Sequence, residues 1–209
     1  MQIGIIGAGS LGSALGQRLG EGGHEVMFGG GGSAHAVAGA PATRLGSNAD
    51  AATFGEVVVL AVPFSAVDAA LAEAGPLGDR VLWSCVNALK PDFSGLAVGF
   101  DTSAAETVAA RAQGARVVAA IPPFANAIAS GQLAYDVGLE PTVFLCGDDD
   151  AAKLVVEELI RDIGGHPVDA GALSAARLVE PAMMLLVSLA YSGVPRDISL
   201  RLLERTGHA

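Results

Sequence analysis

Several kinds of residue are scarce in this sequence of 209 residues. Aromatic residues make up 5% of the chain, only two residues are cysteine, and 12 basic side chains face 22 acidic ones. Two cysteines cannot supply the crosslinks of a disulfide-rich fold, so Cys85 and Cys146 are expected to be buried free thiols. A net charge of −10 argues against non-specific binding to nucleic acid or to an anionic membrane surface.

Three further features are missing from the sequence. No group of histidine and cysteine residues has the spacing of a metal site, so no bound metal is expected. No basic segment precedes the first apolar residues, which argues against a signal peptide. The longest apolar stretch, at about 181–190, is too short to cross a bilayer. We therefore expect a cytoplasmic protein.

The residues that are abundant indicate an α/β fold. Hydrophobic residues make up 51% of the chain and 28 residues are glycine, so a core of Ala, Val, Leu and Ile is expected, with closely packed backbones. Short apolar runs alternate with segments of helical length, as in a doubly wound, mostly parallel sheet of the Rossmann type. The predicted strands are 3–6, 24–28, 57–62, 80–85, 116–121, 142–146 and 167–168. The predicted helices are 11–19, a short one near 34–37, 65–74, 102–113, 148–163, 174–190 and 195–204.

The pattern changes near Gly147, where a helical tail begins. This change predicts a dinucleotide-binding domain at 1–147 and a small C-terminal part at 148–209. The helix at 174–190 is apolar over much of its circumference, which favours burial in an isologous homodimer and a contribution to a substrate pocket. The three aspartates at 148–150 are expected to cap a helix. Arg177 and Glu180 are spaced to form an ion pair on one helix face.

A glycine motif directly follows the first predicted strand. Gly7-Ala8-Gly9-Ser10-Leu11-Gly12 has the G-x-G-x-x-G spacing that binds the diphosphate of a dinucleotide at the start of a helix. Gly7 permits the tight turn, Gly9 lets the diphosphate approach the backbone, and Gly12 allows close packing of helix on strand. The amides of Ser10 and Leu11 are predicted to face the phosphates.

The end of the second strand bears on the choice between NAD and NADP. An acidic residue there would bind the ribose of NAD and an arginine would bind the phosphate of NADP, but residues 28–33 read FGGGGS. Gly30 and Gly31 could form a nest of amides that, with the hydroxyl of Ser33, receives a phosphate. Arg44 is a more distant candidate, and a flexible linker with weak cofactor affinity remains an alternative.

The chain resembles the deazaflavin-dependent NADP reductases, the coenzyme F420 family. Besides the glycine motif, the resemblance is carried by GGHEV at 22–26, LAVP at 60–63, CGDDD at 146–150 and PVDAGALSAARLVE at 167–180, and it extends over nearly the whole chain. It implies a small homodimer with a Rossmann domain and a C-terminal helical part. The implied activity is hydride transfer between NADP(H) and a 5-deazaflavin acceptor, with NAD a less favoured cofactor.

The resemblance implies a site that positions two rings and supplies neither an acid nor a base, so no catalytic side chain is assigned. The expected residues follow strands that end at one edge of the sheet. The further cofactor contacts are Ala61, Val62, Pro63 and Asn87, and the substrate contacts are Phe64, Ile121 and Pro122.

Two alternatives to this activity remain open. The glycine run at 29–32 and the Ala119-Ala120 pair are also compatible with a dinucleotide-binding protein that has no catalytic activity. The third possibility is an NADPH-dependent reductase of another small acceptor, such as an imine, a carbonyl compound, a flavin or a quinone.

Overall fold

A computed structural model describes residues 1–30, 43–131, 133, 135, 138–193, 198–203 and 205. Within these residues, eight strands form one sheet: β1 (Gln2–Ile6), β2 (Glu25–Gly29), β3 (Thr43–Leu45), β4 (Val57–Leu60), β5 (Val81–Ser84), β6 (Arg116–Ala120), β7 (Thr142–Gly147) and β8 (His166–Asp169). The helices are α1 (Ser10–Glu21), α2 (Asn48–Phe54), α3 (Val67–Ala74), α4 (Ala104–Arg111), α5 (Ala125–Ser130), α6 (Asp150–Asp162) and α7 (Ala176–Tyr191).

The strand order is β3-β2-β1-β4-β5-β6-β7-β8, and neighbouring strands are parallel except for the antiparallel pair β6 and β7. This arrangement confirms the predicted Rossmann-type, mostly parallel sheet. The most apolar run of the sequence becomes β4, which lies between β1 and β5 with all four residues buried. A strand that is covered on both faces is expected to be continuously hydrophobic.

The core consists of two layers, one on each face of the sheet. On one face Leu15 and Leu19 of α1 pack with Ile3, Phe28 and Trp83, all fully buried. On the other face α2, α3 and α4 cover side chains that alternate with the first set, among them Ile6, Val58, Leu60 and Leu82. Because successive side chains of a strand point to opposite faces, one short strand contributes to both layers.

The sheet does not end at the predicted boundary of 147. Strand β8 pairs with β7, and α6 shares a buried cluster with α1 and the first strands. His24 also contacts Asp162 of α6, with its Nε2 atom 2.9 Å from a carboxylate oxygen. The division into a domain at 1–147 and a part at 148–209 stays a prediction.

Several elements differ from the prediction. The sequence analysis missed β3, α2 and α5, and the predicted short helix near 34–37 lies outside the described residues. The predicted helix at 195–204 is wrong for residues 198–203, which have no regular secondary structure. There the carbonyl oxygen of Leu200 accepts from Thr142 N at 2.8 Å, and Leu202 N donates to the Thr142 hydroxyl at 3.0 Å. These contacts with the start of β7 replace helical hydrogen bonds.

Among the described residues, Leu173–Tyr191 is long and apolar enough to span a membrane. Core helices of soluble proteins meet the same criterion, and this segment begins with a single 3-10 turn (Leu173–Ala175) that packs on the sheet. It also contains Glu180, whose carboxylate is buried against α4. These contacts favour a helix of the protein core.

Candidate functional site

The turn after β1 requires glycine at two positions of the motif. Gly7 has a φ of +104°, and a β-carbon there would overlap the carbonyl oxygen of Ala61. A β-carbon at Gly12 would overlap the carbonyl oxygen of Gly7. Both residues therefore allow β1, the following turn and α1 to pack in direct contact.

Gly9 differs from these two glycines because its position is open. No heavy atom of the other described residues lies within 4 Å of where its β-carbon would be, and the residue lies on the wall of a cavity. Gly9 precedes α1, and Ser10 and Leu11 form the first turn, where the amides have no acceptors within the helix. The turn thus offers amide donors and the positive end of a helix dipole to a ligand, which fits a diphosphate group.

A cavity of about 710 Å³ extends from this turn along the carboxyl ends of the parallel strands. This volume lies within the range of small-molecule and cofactor sites. Most of the predicted site residues line it: Gly9, Ser10, Leu11, Ala61, Val62, Pro63, Phe64, Asn87, Ile121 and Pro122. The structure therefore brings the loops after β1, β4, β5 and β6 together, as expected at this edge of a doubly wound sheet.

The predicted residues at the end of β2 do not join this group. Gly30 is exposed with a φ of +90° and does not line the cavity, while Gly31 and Ser33 lie outside the described residues. The suggested help from Arg44 stays a prediction, and its guanidinium contacts Glu25 at 3.1 Å and lies over the ring of Phe54. Glu25 begins β2, so Arg44 is engaged at the opposite end of that strand.

The cavity wall contains few groups that can transfer a proton. Of the described residues that line it, none is Asp, Glu or His, and the ionisable ones are Cys85, Lys90 and Tyr191. Burial raises the pKa of the Cys85 thiol, so it is neutral at physiological pH. Among all the residues that the structure describes, no three His, Cys, Asp or Glu residues are grouped as a metal site would require.

The far wall of the cavity was expected only in part, as a contribution from the helix at 174–190. It comes from α7, with Met183, Leu186 and Val187, and from the hairpin-like loop after β5, with Phe93. The apolar circumference of α7 pointed to a pocket or a dimer without assigning residues. Nothing in the sequence indicated that the loop folds back, with Ala97 N donating to the Ala88 carbonyl oxygen at 2.6 Å.

Glu180 of α7 connects the helix to this wall. Its side chain is only 2% exposed, and its carboxylate accepts from the amides of Ala104 at 2.9 Å and Ala105 at 3.0 Å, at the start of α4. Its backbone carbonyl accepts from Asn87 Nδ2 at 3.4 Å. Burial raises the pKa of Glu180, and hydrogen bonds from the amides of Ala104, Ala105 and Ala88 oppose that rise.

The predicted ion pair between Arg177 and Glu180 is wrong. Arg177 instead binds Glu106 of α4, with two nitrogen–oxygen distances of 2.9 and 2.6 Å. This pairing lowers the pKa of Glu106. Glu180 is unavailable to Arg177 because its carboxylate already accepts from the α4 amides. Together the two contacts fasten the first turns of α7 to α4.

The capping prediction is confirmed for Asp149, which accepts from Ala152 N at 2.7 Å. The neighbouring Asp148 accepts from Leu173 N at 2.9 Å and so anchors the turn before α7. Both cysteines are free and buried, as predicted, and burial raises the pKa of Cys146 to about 12.

Comparison with known proteins gives a consistent set of relatives. Residues 2–88 match the family model described as NADP oxidoreductase, coenzyme F420-dependent. The chain is 31% identical to the F420-dependent NADP reductase of Methanothermobacter thermautotrophicus, covering 97% of this chain and 94% of that protein. It is 30% identical to the protein of the same name from Methanothermobacter marburgensis, covering 97% and 98%.

Solved structures show the same architecture. A protein of Arthrobacter sp. FB24, provisionally assigned as an F420-dependent NADP reductase, superposes with a TM-score of 0.85 and 25% identity, covering 97% of this chain and 99% of that one. A reductive aminase of Aspergillus terreus superposes with a TM-score of 0.69 at 18% identity, covering 92% and 62%. The second likeness shows a shared fold only.

The buried position of Glu180 generates a test based on pH. Because its pKa is higher in the folded than in the unfolded chain, the folded chain holds an extra proton between the two pKa values, so raising the pH through that range favours unfolding. We expect the free energy of unfolding of wild type, relative to Glu180→Gln, to decrease as pH rises from about 4.5. Urea titrations across this range measure the trend.

Glu158→Gln is the matched control, because Glu158 is an exposed carboxylate on α6. Its difference from wild type should change little over the same pH range. Glu180→Ala should lose about 1–3 kcal/mol, the usual cost of leaving a buried donor without its partner. An advantage of wild type over Glu180→Gln that grows with pH would contradict the raised pKa of Glu180.

Proposed function

This chain belongs to the family of NADP oxidoreductases that depend on coenzyme F420, and from that premise we propose that it transfers hydride between NADP(H) and a deazaflavin acceptor. Besides the family match, one structural observation supports the proposal. An apolar cavity connects the open turn at Gly9 with the loops after β4, β5 and β6.

The composition of the cavity suits this reaction. Hydride transfer between two stacked rings requires their close positioning and the exclusion of water. The described wall consists mainly of apolar side chains and carries no carboxylate or imidazole. NADP(H), when bound, supplies or receives the hydride, and the chain's own residues hold the two rings in a dry, shaped space.

We propose roles for the residues that line the cavity. The amides of Ser10 and Leu11, beside the open Gly9, would bind the diphosphate. Ala61, Val62 and Pro63 would pack against the nicotinamide half, with Asn87 as a polar contact. The acceptor would lie against Phe64, Ile121 and Pro122. Binding of the NADP phosphate by Gly30, Gly31 and Ser33 stays a prediction.

One observation supports a second candidate activity. Reductases of imines or carbonyl compounds need a proton donor near the nicotinamide, and the phenol of Tyr191 lies on the cavity wall. Tyr135 is not among the described residues that line the cavity. Reduction of an imine is therefore the main alternative reaction, and binding of dinucleotide without turnover is the third.

The first prediction for this function concerns the acceptor. Mixing the protein with NADPH and oxidised F420 should decrease the absorbance of both compounds, whereas NADPH with imines, ketones, flavin or quinone should remain unchanged. Parallel reactions with NADH measure the cofactor preference. If NADPH were consumed only with imines, the activity would be imine reduction and the proposed reaction would be wrong. Binding of NADPH without turnover of any acceptor would leave only a dinucleotide-binding function.

The second prediction concerns the diphosphate turn. Gly9→Val should weaken NADPH binding at least about tenfold, because its side chain would project into the cavity, while the fold is kept since no atom lies nearby. Fluorescence titration gives the affinity and circular dichroism the fold. Gly95→Val is the control, because that glycine also has open space and does not line the cavity. Unchanged binding in Gly9→Val would contradict the phosphate assignment.

We also propose that the protein is a homodimer joined through α7. Leu178, Leu185 and Leu189 are 74%, 57% and 37% exposed, and their spacing of seven and four residues puts them on one stripe of the helix. The neighbouring face, which includes Val179 and Leu186, is buried. A second copy would cover the exposed stripe by a symmetric contact.

The third prediction tests this interface. Leu185→Glu should convert a dimer into a monomer, because a charge would be buried at the contact, and light scattering after gel filtration measures the mass. Leu154→Glu is the control, since Leu154 is 64% exposed on α6, outside the stripe. A monomeric wild type, or dimers in both variants, would contradict the proposal.

The cytoplasmic location also stays a proposal. It is consistent with two free thiols and can be tested by cell fractionation.

A further inference from the structure

Four of the ten aromatic residues of this chain line one cavity. The sequence has seven Phe, two Tyr and one Trp, and four of these side chains line the cavity: Phe64, Phe93, Phe124 and Tyr191. The fold does not need them there, because the core is built largely from aliphatic side chains. Aromatic walls bind flat rings by stacking, so this distribution points to a planar ligand.

Two of the four form a stacked pair that is largely outside the core. The ring centroids of Phe93 and Tyr191 are 5.3 Å apart with an interplanar angle of 17°. Phe93 is 46% exposed and Tyr191 is 65% exposed, so much of each ring remains available. Exposed aromatic surface at the rim of a cavity is a feature of binding sites.

The loop after β5 holds Phe93 in an unfavourable backbone conformation. Its φ is +56°, in the left-handed region that non-glycine residues rarely occupy. A turn closes beneath it, where Phe93 N donates to the Lys90 carbonyl oxygen at 2.9 Å, and Ser94 N donates to the Asp92 carboxylate at 3.1 Å. Such strain is maintained by the surrounding contacts and occurs preferentially at functional sites.

The position of Tyr191 is set from the other side of the cavity. Tyr191 is the last residue of α7, whose first turns are fastened to α4 by Glu180 and Arg177. The pair therefore joins a strained loop to the end of an anchored helix. Neither residue belongs to the segment 2–88 that matches the family model, which contains the diphosphate turn and the loop after β4.

We propose that the Phe93–Tyr191 pair is the stacking surface for the planar ring of the hydride acceptor and determines affinity for the acceptor, separately from affinity for NADP(H). This inference rests on the proposed function for the identity of that acceptor. Phe93 and Tyr191 are positioning residues, since stacking holds the ring and donates no proton.

The test compares Phe93→Ala and Tyr191→Ala with Phe100→Ala. Phe100 is the matched control, because it also has a positive φ of 65° and is 79% exposed, but it does not line the cavity. Each of the first two variants should raise the KM for F420 about tenfold, in line with the usual strength of ring stacking, and leave the Kd for NADPH unchanged. Phe100→Ala should change neither value.

A double variant and a conservative variant sharpen the result. Phe93→Ala combined with Tyr191→Ala should raise KM by less than the product of the single effects, because both rings belong to one surface. Tyr191→Phe should recover most of the affinity lost in Tyr191→Ala and keep the wild-type kcat, whereas loss of a proton donor would lower kcat. If the alanine variants weakened NADPH binding as much as they weaken F420 binding, the inference would be overturned.

Binding of riboflavin separates this inference from the proposed function. Riboflavin is a flat three-ring probe whose fluorescence reports binding without any reaction. If wild type fails to reduce F420 but binds riboflavin, and Phe93→Ala weakens that binding about tenfold while Phe100→Ala does not, the stacking surface stands and the proposed acceptor is wrong. If wild type binds neither F420 nor riboflavin, or if Phe93→Ala binds both as wild type does, the stacking surface is refuted.

Discussion

Glu180 connects α7 and the loop after β5, which form the far side of the cavity, to the start of α4 behind them. Its carboxylate projects from α7 to the first amides of α4, and the backbone of the same residue contacts Asn87 in the loop after β5. A buried carboxylate loses hydration and is tolerated only when hydrogen bonds replace the lost water. The free amides at a helix start supply those bonds together with a favourable dipole. The position of α7, and hence the shape of the cavity, depends on this contact.

The glycine motif solves two opposed requirements within six residues. Gly7 and Gly12 are needed where the backbone must be crowded, since any side chain would overlap neighbouring carbonyl oxygens. Gly9 lies where space is open, since no atom of the other described residues occupies the position of its missing side chain. Crowding brings the start of α1 close to the end of β1, and the open position leaves room for a ligand at that helix start. The same residue type therefore serves the fold at two positions and the site at the third.

The near side of the site could be predicted residue by residue, whereas for the far side only the participation of α7 could be, for a physical reason. Parallel strands end at one edge, so the loops containing Gly9, Pro63, Asn87 and Pro122 had to meet once the strands were recognised. The far wall depends on how α7 lies across that edge, which is set by contacts between residues distant in sequence. The spacing on one helix favoured an ion pair between Arg177 and Glu180. In the structure Arg177 pairs with Glu106 of α4, and Glu180 accepts from the free amides at the start of α4.

Missed elements follow the same division between local and distant signals. Helix α2 has a local signal, since Ser47 and Asp50 form a reciprocal capping box, but its seven residues are too few to show a periodic apolar pattern. Strand β3 has three residues and is fixed by pairing with β2 rather than by its own sequence. The tail at 198–203 has helix-forming residues, yet its backbone bonds to Thr142. Tertiary contacts override weak propensity most easily in such short segments.

A site with few ionisable groups must select its ligands by shape. Proton-transfer enzymes distinguish substrates partly through the charged groups that react, but the described wall of this cavity has no carboxylate or imidazole to do so. Selection then rests on apolar contact and on flat aromatic surfaces, which favour extended planar rings over small compact molecules. In this chain, the four aromatic side chains on the cavity wall are the feature that favours a large flat acceptor over an imine.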